Sequence, residues 1–186
     1  MKKLEAFKME LREIVKKYGV SLYNPSAAYR AENNLPDGEL LYVENIDLLK
    51  SDNMTDFIRE HKQEIIDFLK EKEAKIASIP GLKEIETSEK EWRKFRYNFN
   101  DTFDSENAAG IQAGLQMPDS DPAALRKKYP QADAYLQMKD LVDADNWELS
   151  AIGDRAIEMV IDGDWQEALE YADREQQKLA DKHFWD

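Results

Sequence analysis

The stretch Asp162-Gly163-Asp164-Trp165 decides how the C-terminal part of this 186-residue chain folds. Before it, apolar residues recur at spacings of three and four, the pattern of one helix face. They are Trp147, Ala151, Ile152, Ala156, Met159 and Val160. Gly163 follows the last of them, where a helix commonly ends in a left-handed residue that glycine adopts at little cost. Asp164 and Glu167 have the spacing of a capping box and predict that a second helix begins at once.

The second helix has an apolar stripe of its own, formed by Trp165, Ala168, Leu169, Ala172, Gln176 and Leu179. Because one residue separates the stop from the start, we predict a tight helical hairpin with its apolar faces together. The alternative, a metal site at Asp162 and Asp164, is disfavoured. Calcium loops place oxygen ligands at alternate positions over twelve residues, and Trp165 and Ala168 fall inside that stretch.

Composition points to a folded, acidic, intracellular protein. The apolar fraction is 42%, enough for a packed core, and cysteine is absent, which excludes disulfides and thiolate chemistry. No run of eighteen apolar residues and no signal-peptide pattern are present. The net charge is −13, and residues 119–186 hold most of the excess, with 8 Lys and Arg against 17 Asp and Glu. Such a surface repels nucleic acid and attracts basic partners.

The N-terminal third reads as a helix, two short strands and a helix. A stripe of Leu4, Phe7, Leu11, Ile14 and Tyr18 predicts the first helix, which Gly19 ends; its heptad-like spacing leaves a homodimer open. Residues 20–23 and 40–43 favour strands, with a helical turn near residues 26–32. Ser51 is predicted to cap a long helix to about Lys75 that buries one side of His61, an arrangement more typical of a hydrogen-bonded histidine than of a catalytic base.

In that last helix, the run Phe57-Ile58-Arg59-Glu60-His61-Lys62-Gln63-Glu64-Ile65-Ile66 resembles the N-terminal docking domains of the TubC type. The resemblance covers roughly residues 10–72. Those domains dimerise and bind partner helices through an exposed strand, so the resemblance implies a protein-binding role. This chain differs by a longer insert between its strands, residues 24–36, and by lacking the synthase modules that such domains precede.

Ile79-Pro80-Gly81 is the best candidate boundary, so we predict one module over residues 1–78 and a second over 86–186. Ser88 and Glu91 have capping-box spacing and predict a helix through Trp92, Phe95, Phe99 and Phe103. The alternation of Phe95, Tyr97 and Phe99 leaves a strand open. Downstream, Asp121-Pro122 and Pro130 predict two helix starts.

Two groups of side chains are candidate binding sites. Lys90, Arg93, Lys94 and Arg96 interleave with aromatics, a pattern that can bind a single nucleic-acid strand but is more often the solvent side of a helix. Asp140, Asp143, Asp145 and Glu148 crowd the segment before and after Trp147. Like charges at helical spacing are slightly destabilising, which favours a function, namely presenting carboxylates to a basic partner. The irregular stretch 104–121 is long enough to be functional.

A second set of linked residues lies in the C-terminal block: Lys128-Tyr129-Pro130, Ala132, Ala134-Tyr135-Leu136, Gly153, Ala156, Asp162-Gly163-Asp164 and the ending His183-Phe184-Trp185-Asp186. With these residues the block resembles a family of small bacterial proteins that travel on phages, plasmids and integrative elements. The resemblance covers roughly residues 92–186. Members are mostly of unassigned function, and some mobile-element proteins of this size and acidity, including anti-CRISPR proteins, inhibit host nucleases.

We therefore predict an α+β, mainly α protein, with a small helix–β-hairpin–helix module followed by an acidic helical bundle. With no paired His, phosphate-binding Gly loop or nucleophile motif, we expect no catalytic residues, cofactor or metal. The leading hypothesis is a cytoplasmic protein-binding inhibitor, acting in a bacterial host on a basic nucleic-acid-handling protein rather than on nucleic acid or a membrane. The alternatives are a docking adaptor using the N-terminal module, and a divergent metal-dependent enzyme built on the acidic cluster.

Overall fold

The computed structural model describes the backbone of residues 2–35, 38–101 and 117–184, and the side chains of residues 10–35, 38–97 and 117–182. Contacts divide the chain into two compact units, unit 1 (residues 1–74) and unit 2 (residues 75–186). Helices dominate both units, and one two-stranded antiparallel sheet accompanies them in the described part of unit 1. This agrees with the predicted mainly α composition.

Unit 1 begins with the predicted helix and strands. Its elements are α1 Lys2–Tyr18, β1 Val20–Tyr23, α2 Ala27–Glu32, β2 Leu40–Val43, α3 Ile46–Ser51, α4 Thr55–Glu60 and α5 Lys62–Ala77, the last of which extends into unit 2. Gly19 has a φ of +60°, which lets the chain turn from α1 directly into β1. The strands pair with Val20 opposite Val43 and Tyr23 opposite Leu40. Alternation along the strands therefore gives the sheet an inner face and an outer face.

The inner face of the sheet packs with α1 and the later helices around one core. Its buried members are Leu11, Ile14, Tyr18, Val20, Leu49, Ile58 and Ile65. At its edge, the Asp52 carboxylate accepts hydrogen bonds from Lys17 Nζ at 2.6 Å and from the Tyr18 hydroxyl at 3.0 Å. These two donors lower the pKa of Asp52. The contacts join the end of α1 to the end of α3.

The predicted long helix from Ser51 to Lys75 is wrong. Ser51 is the last residue of α3, and its hydroxyl donates to the Leu48 carbonyl rather than capping a following helix. Asn53 then adopts a φ of +57°, and α4 ends at Glu60, with His61 as its C-terminal cap before α5 begins. The apolar stripe from Met54 to Leu69 still faces the core, so the pattern identified the buried side but not the breaks.

Unit 2 is helical throughout its described part. Its elements are α6 Leu82–Asp101, α7 Pro122–Lys128, α8 Pro130–Val142, α9 Trp147–Asp162 and α10 Trp165–Phe184. Asp121 caps α7 by accepting from the Ala123 amide, and Pro122 and Pro130 occupy first-turn positions, as predicted. Helix α9 packs against both α8 and α10. Their shared core consists of Ala134, Met138, Ile152, Ala156, Val160, Ala168 and Ala172.

The predicted joint between α9 and α10 is confirmed. Gly163 has a φ of +103° and its amide donates to the Val160 carbonyl, while the Asp164 amide donates to the Met159 carbonyl at 2.9 Å. This pair of hydrogen bonds is the Schellman arrangement, which satisfies the last carbonyls of a helix. The next helix starts one residue later, so the hairpin is as tight as the sequence predicts.

Helices α8 and α9 approach closely because of Gly153. A Cβ atom at this position would lie 2.7 Å from the Met138 carbonyl oxygen and 2.8 Å from the Val142 amide nitrogen. Gly153 and Ala156 are both buried on the side of α9 that faces this contact. The small residues thus let two backbones meet with little between them.

The predicted capping box at Ser88 and Glu91 is wrong, because α6 begins earlier, at Leu82. Ser88 lies inside the helix, almost fully buried, and its hydroxyl donates to the Ser120 carbonyl at 2.9 Å. The strand alternative for residues 95–99 is excluded by the same helix. Ahead of it, Ile79, Leu82 and Ile85 form a second core of unit 2 with Ala132 and Leu136.

Two of the predicted segments lie mostly outside the described residues. Of the stretch 104–121, the structure describes only residues 117–121, and of the terminal pair Phe184-Trp185 it describes only the backbone of Phe184. Within the ranges that are described, no helix combines the length and the apolar character needed to cross a membrane.

Candidate partner-binding surfaces

The predicted acidic residues lie at the turn between α8 and α9. We call this surface, formed by Asp140, Asp143, Asp145, Trp147 and Glu148, the acidic corner. Asp140 is exposed in the last turn of α8, Asp143 ends that helix, and Asp145 lies in the connecting turn. The structure therefore brings the predicted carboxylates to one joint of the bundle. The helical spacing that the sequence predicts for the cluster does not extend to Asp145, because Asp145 precedes α9 and does not share a helix face with Glu148.

The turn itself is built by local hydrogen bonds. The Asp143 amide donates to the Lys139 carbonyl at 2.9 Å, and the Asn146 amide donates to the Ala144 carbonyl at 2.7 Å. The Asn146 side chain then accepts from the Glu148 and Leu149 amides and so caps α9. Asparagine is a favoured residue at this position because it satisfies amides that lack helical partners. The cap fixes the position at which α9 begins, with Trp147 as its first residue.

Trp147 is 79% exposed, although its spacing with the α9 stripe predicts burial. The prediction is wrong for a geometric reason. The buried positions of α9 are Ile152, Gly153, Ala156 and Val160, and at about 100° per residue Trp147 points to the opposite side. Ala151, its companion in the predicted stripe, is exposed as well. The signal that could have found it is the helix phase, since Trp147 stands five residues before Ile152 and nine before Ala156 and so falls about 140° and 180° from them.

The four carboxylates are not equivalent. Glu148 is only 18% exposed, and its Oε1 accepts from Lys182 Nζ of α10 at 3.0 Å. Within the described part of the chain, no comparable ion pair involves Asp140, Asp143 or Asp145, and all three are exposed. Glu148 therefore serves the packing of α9 on α10, whereas the three aspartates face solvent.

Asp143 also acts on the interior of the bundle. The pKa of Tyr135, which lies on α8, is raised mainly because its ring is partly buried and further because the carboxylates of Glu86 and Asp143 disfavour a phenolate. The tyrosine thus remains a neutral hydroxyl over a wider pH range. One carboxylate of the acidic corner, Asp143, therefore affects the pKa of a half-buried side chain of unit 2.

The predicted basic residues lie on the distal half of α6. Lys90, Arg93, Lys94 and Arg96 are all exposed. The aromatic side chains between them point inward: Trp92 Nε1 donates to the Ser120 carbonyl at 2.6 Å, and the Phe95 ring meets the Trp92 ring edge to face. Tyr97 is the exception, since it is 67% exposed.

The remaining candidates are less developed. The His61 ring lies against Phe57, with ring centroids 4.4 Å apart, and its Nδ1 lies 3.7 Å from a carboxylate oxygen of Glu64. A shallow groove between α9 and α10 is lined by Leu149, Asp173, Gln176, Gln177, Leu179 and Ala180. Across the residues with described side chains, no group of three or more His, Asp or Glu is placed to hold a metal ion.

Comparison of the chain with protein-family models, with curated proteins and with solved structures found no match. The acidic corner and the basic side of α6 therefore have to be interpreted from their own chemistry.

Proposed function

We propose that this protein is a non-enzymatic, acidic inhibitor or modulator carried by a bacterial mobile element. It binds a basic, nucleic-acid-handling protein in the host cytoplasm through the acidic corner, and inhibition of a CRISPR nuclease is the most specific form of this proposal. The observation that carries it is the exposure of Trp147, at 79%, beside three solvent-facing aspartates.

An exposed tryptophan favours protein binding. Tryptophan is highly buried on average, and at interfaces it is among the residues that contribute most to affinity when it enters a pocket on the partner. Trp147 contributes little to the core of unit 2, so the packing of α9 gives no reason for a large aromatic side chain at this position.

The position of the aspartates supports the same conclusion. Asp140 lies in the last turn of α8 and Asp143 ends it. The C-terminus of a helix carries partial negative charge, so each carboxylate there costs about 0.3–1 kcal/mol at low ionic strength. A residue that lowers stability without a compensating internal contact suggests selection for an external one.

The sign of the charge indicates the partner. Residues 119–186 carry 17 acidic against 8 basic side chains. Carboxylates close in sequence to an exposed aromatic side chain offer a partner negative charge together with an aromatic ring, the same two groups that phosphates and a base offer. A protein that binds nucleic acid has the complementary surface, and electrostatic attraction would speed its association.

The test is affinity capture from a bacterial lysate with the whole protein as bait and identification of the retained proteins. Two variants accompany the wild type: Trp147→Ala, and the charge reversal Asp140→Lys/Asp143→Lys/Asp145→Lys. We expect basic nucleic-acid-binding proteins on the wild type, released as salt rises, and absent from both variants. The captured protein, purified, is then assayed for nuclease or nucleic-acid-binding activity with and without this chain.

A matched control is available in unit 1. Glu13→Lys/Glu32→Lys/Glu60→Lys makes the same change in net charge at exposed helical positions and should retain the captured protein. Equal loss in this control would mean that only net charge matters. Retention by the acidic-corner variants would contradict the proposal.

The alternative of a docking adaptor has its own supporting observation. On the outer face of the sheet, Tyr42 is 53% exposed and Tyr23 is 38% exposed, and Tyr29 packs edge-on against Tyr23. Under this alternative the double variant Tyr23→Ser/Tyr42→Ser abolishes capture while the acidic-corner variants leave it intact. Light scattering on the same samples would show whether the wild type forms dimers and whether the double variant fails to form them.

A further inference from the structure

The outward side of α6 carries an ordered row of side chains, which we call the α6 row: Lys90, Arg93, Lys94 and Tyr97. Their spacings of three, four and seven place them on one helix face. Ser88, Trp92 and Phe95 share the opposite face, which packs inward. Exposure follows this division, since all four members of the row are exposed while the inward three are buried or half-buried.

The cations of the row stand out in so acidic a chain. In the part of the structure with described side chains, no hydrogen bond or ion pair engages Lys90, Arg93 or Lys94. Several other cations of unit 2 are paired with carboxylates: Arg126 lies between Glu89 and Asp133, and Lys182 pairs with Glu148. With 39 acidic residues in the chain, a row of cations without carboxylate partners is available for an anion from outside.

Tyr97 indicates which anion. An exposed aromatic ring beside cations suits a single nucleic-acid strand, whose phosphates pair with Lys and Arg while a base stacks on the ring. The row extends about 10 Å along the helix, given a rise of 1.5 Å per residue. An acidic polypeptide would use the same cations but would gain little from the ring.

We propose that the α6 row binds single-stranded nucleic acid, with Lys90, Arg93 and Lys94 on the phosphates and Tyr97 stacked on a base. This goes beyond the proposed function, which assigns a protein partner to the acidic corner, and revises the sequence-based expectation that nucleic acid is not contacted directly. Binding is independent of the acidic corner.

The net charge of −13 limits the affinity without preventing binding. Residues 90–97 contain four cations and one anion, and at physiological salt the fields of distant charges are screened beyond about 8 Å. Three phosphate contacts to a single strand give a slope of about −2 for log affinity against log salt. We expect a dissociation constant of about 10⁻⁴–10⁻⁶ M, the range of sequence-independent binding.

The experiment measures fluorescence anisotropy of a labelled oligothymidylate against the whole protein over a series of salt concentrations. The test variant is Lys90→Gln/Arg93→Gln/Lys94→Gln. Its control, Lys50→Gln/Arg59→Gln/Lys62→Gln, removes two lysines and one arginine from exposed positions of unit 1 and changes the net charge equally. We expect the test variant to lose binding and the control to resemble the wild type.

The stacking contact has separate variants. Tyr97→Ala should weaken binding about fivefold or more, the lower end for removal of a base-stacking ring, whereas Tyr97→Phe should retain it. Tyr42→Ala, which removes an exposed tyrosine from unit 1, should have no effect.

Three results would overturn the proposal. The first is absence of wild-type binding at the lowest salt concentration. The second is equal loss in both triple variants. The third is competition by polyglutamate as effective as that by unlabelled oligothymidylate, which would identify a general anion surface. The acidic-corner variants separate this proposal from the proposed function, because they should lose the protein partner while binding the oligonucleotide at least as well as the wild type.

Discussion

Unit 2 contains two junctions between consecutive helices, and each is followed by a tryptophan whose burial differs from that of the other. At the α9–α10 joint, Gly163 turns the backbone, the Schellman hydrogen bonds close α9, and Trp165 packs into the shared core. At the α8–α9 joint, a turn of aspartates and an asparagine cap leads to Trp147, which faces solvent. The first joint packs its tryptophan, partly buried, against the core, and the second leaves it exposed to solvent.

The two tryptophans differ in the direction of their side chains relative to the buried side of their own helix. Both follow a capping position directly, and both are first residues of a helix. Trp165 falls in line with Ala168 and Ala172, which are fully buried, whereas Trp147 falls opposite Ile152 and Ala156. Aromatic character alone therefore does not indicate burial, since the same residue type packs against the core at one joint and faces solvent at the other.

The largest expected effect on stability is at Gly153, which sets the distance between α8 and α9. The added methyl group of Gly153→Ala would meet backbone atoms of Met138 and Val142. Overpacking of this kind costs about 1–3 kcal/mol or more, and alanine recovers about 1 kcal/mol of helix propensity. We expect a net loss of about 2 kcal/mol, since backbone atoms cannot rotate away.

Urea unfolding followed by tryptophan fluorescence measures this change. All four tryptophans, Trp92, Trp147, Trp165 and Trp185, lie in residues 75–186, so the signal reports on unit 2 alone. Stabilisation by Gly153→Ala would contradict the close approach of α8 and α9.

At the other joint, Gly163→Ala should have a smaller effect. The space around Gly163 is open, so no atom obstructs the methyl group, but its φ of +103° is unfavourable for alanine. The conformational cost of a left-handed residue is about 1–2 kcal/mol, offset in part because alanine restricts the unfolded chain. We expect a loss of about 1 kcal/mol in the same urea experiment. A loss larger than that of Gly153→Ala would reverse the proposed ranking of the two joints.

Features with local causes were predictable from the sequence. Gly163, the Asp121-Pro122 cap and both strands act through their own backbone conformations, and the structure places them where the sequence does. Ser51 and Ser88 show the limit of this approach. Serine caps helices, but its hydroxyl also donates hydrogen bonds to carbonyls of its own helix or of a distant segment. Ser88, for example, donates to the carbonyl of Ser120, thirty-two residues away. Only tertiary contacts distinguish these uses.

The candidate site was predictable from the sequence only in part, because some of its contacts depend on how the helices pack. The sequence identified Asp140, Asp143 and Asp145 because the charge of a side chain follows from the residue type, whatever the fold. It could not show that Glu148 pairs with Lys182, since those residues meet only when α9 and α10 pack together. It also assigned Trp147 to the core, because its spacing of four from Ala151 fits a helix stripe, although Ala151 is itself exposed.

The smallest expected effect concerns the pKa of Tyr135. Burial raises this pKa first, and Glu86 and Asp143 raise it further. Because the folded-state pKa lies above that of the unfolded chain, the stability contributed by the neutral hydroxyl is complete below the unfolded pKa and is lost as pH rises through the folded one. Asp143→Asn should lower the pKa slightly and leave the effect of burial in place.

A pH titration of labelled tyrosine by NMR measures this shift, and Asp140→Asn provides the comparison. An unchanged Tyr135 pKa in Asp143→Asn would show that the acidic corner has no influence inside the bundle.

The central claim is that Trp147 serves binding rather than packing, and Trp147→Ala tests it most directly when stability and affinity are measured on the same samples. The account predicts a free energy of unfolding within about 0.5 kcal/mol of the wild type, together with a loss of affinity for the captured protein of about 30-fold or more, the scale of an interface hot spot. Trp165→Ala should do the reverse by destabilising unit 2. Strong destabilisation by Trp147→Ala with unchanged affinity would contradict the account.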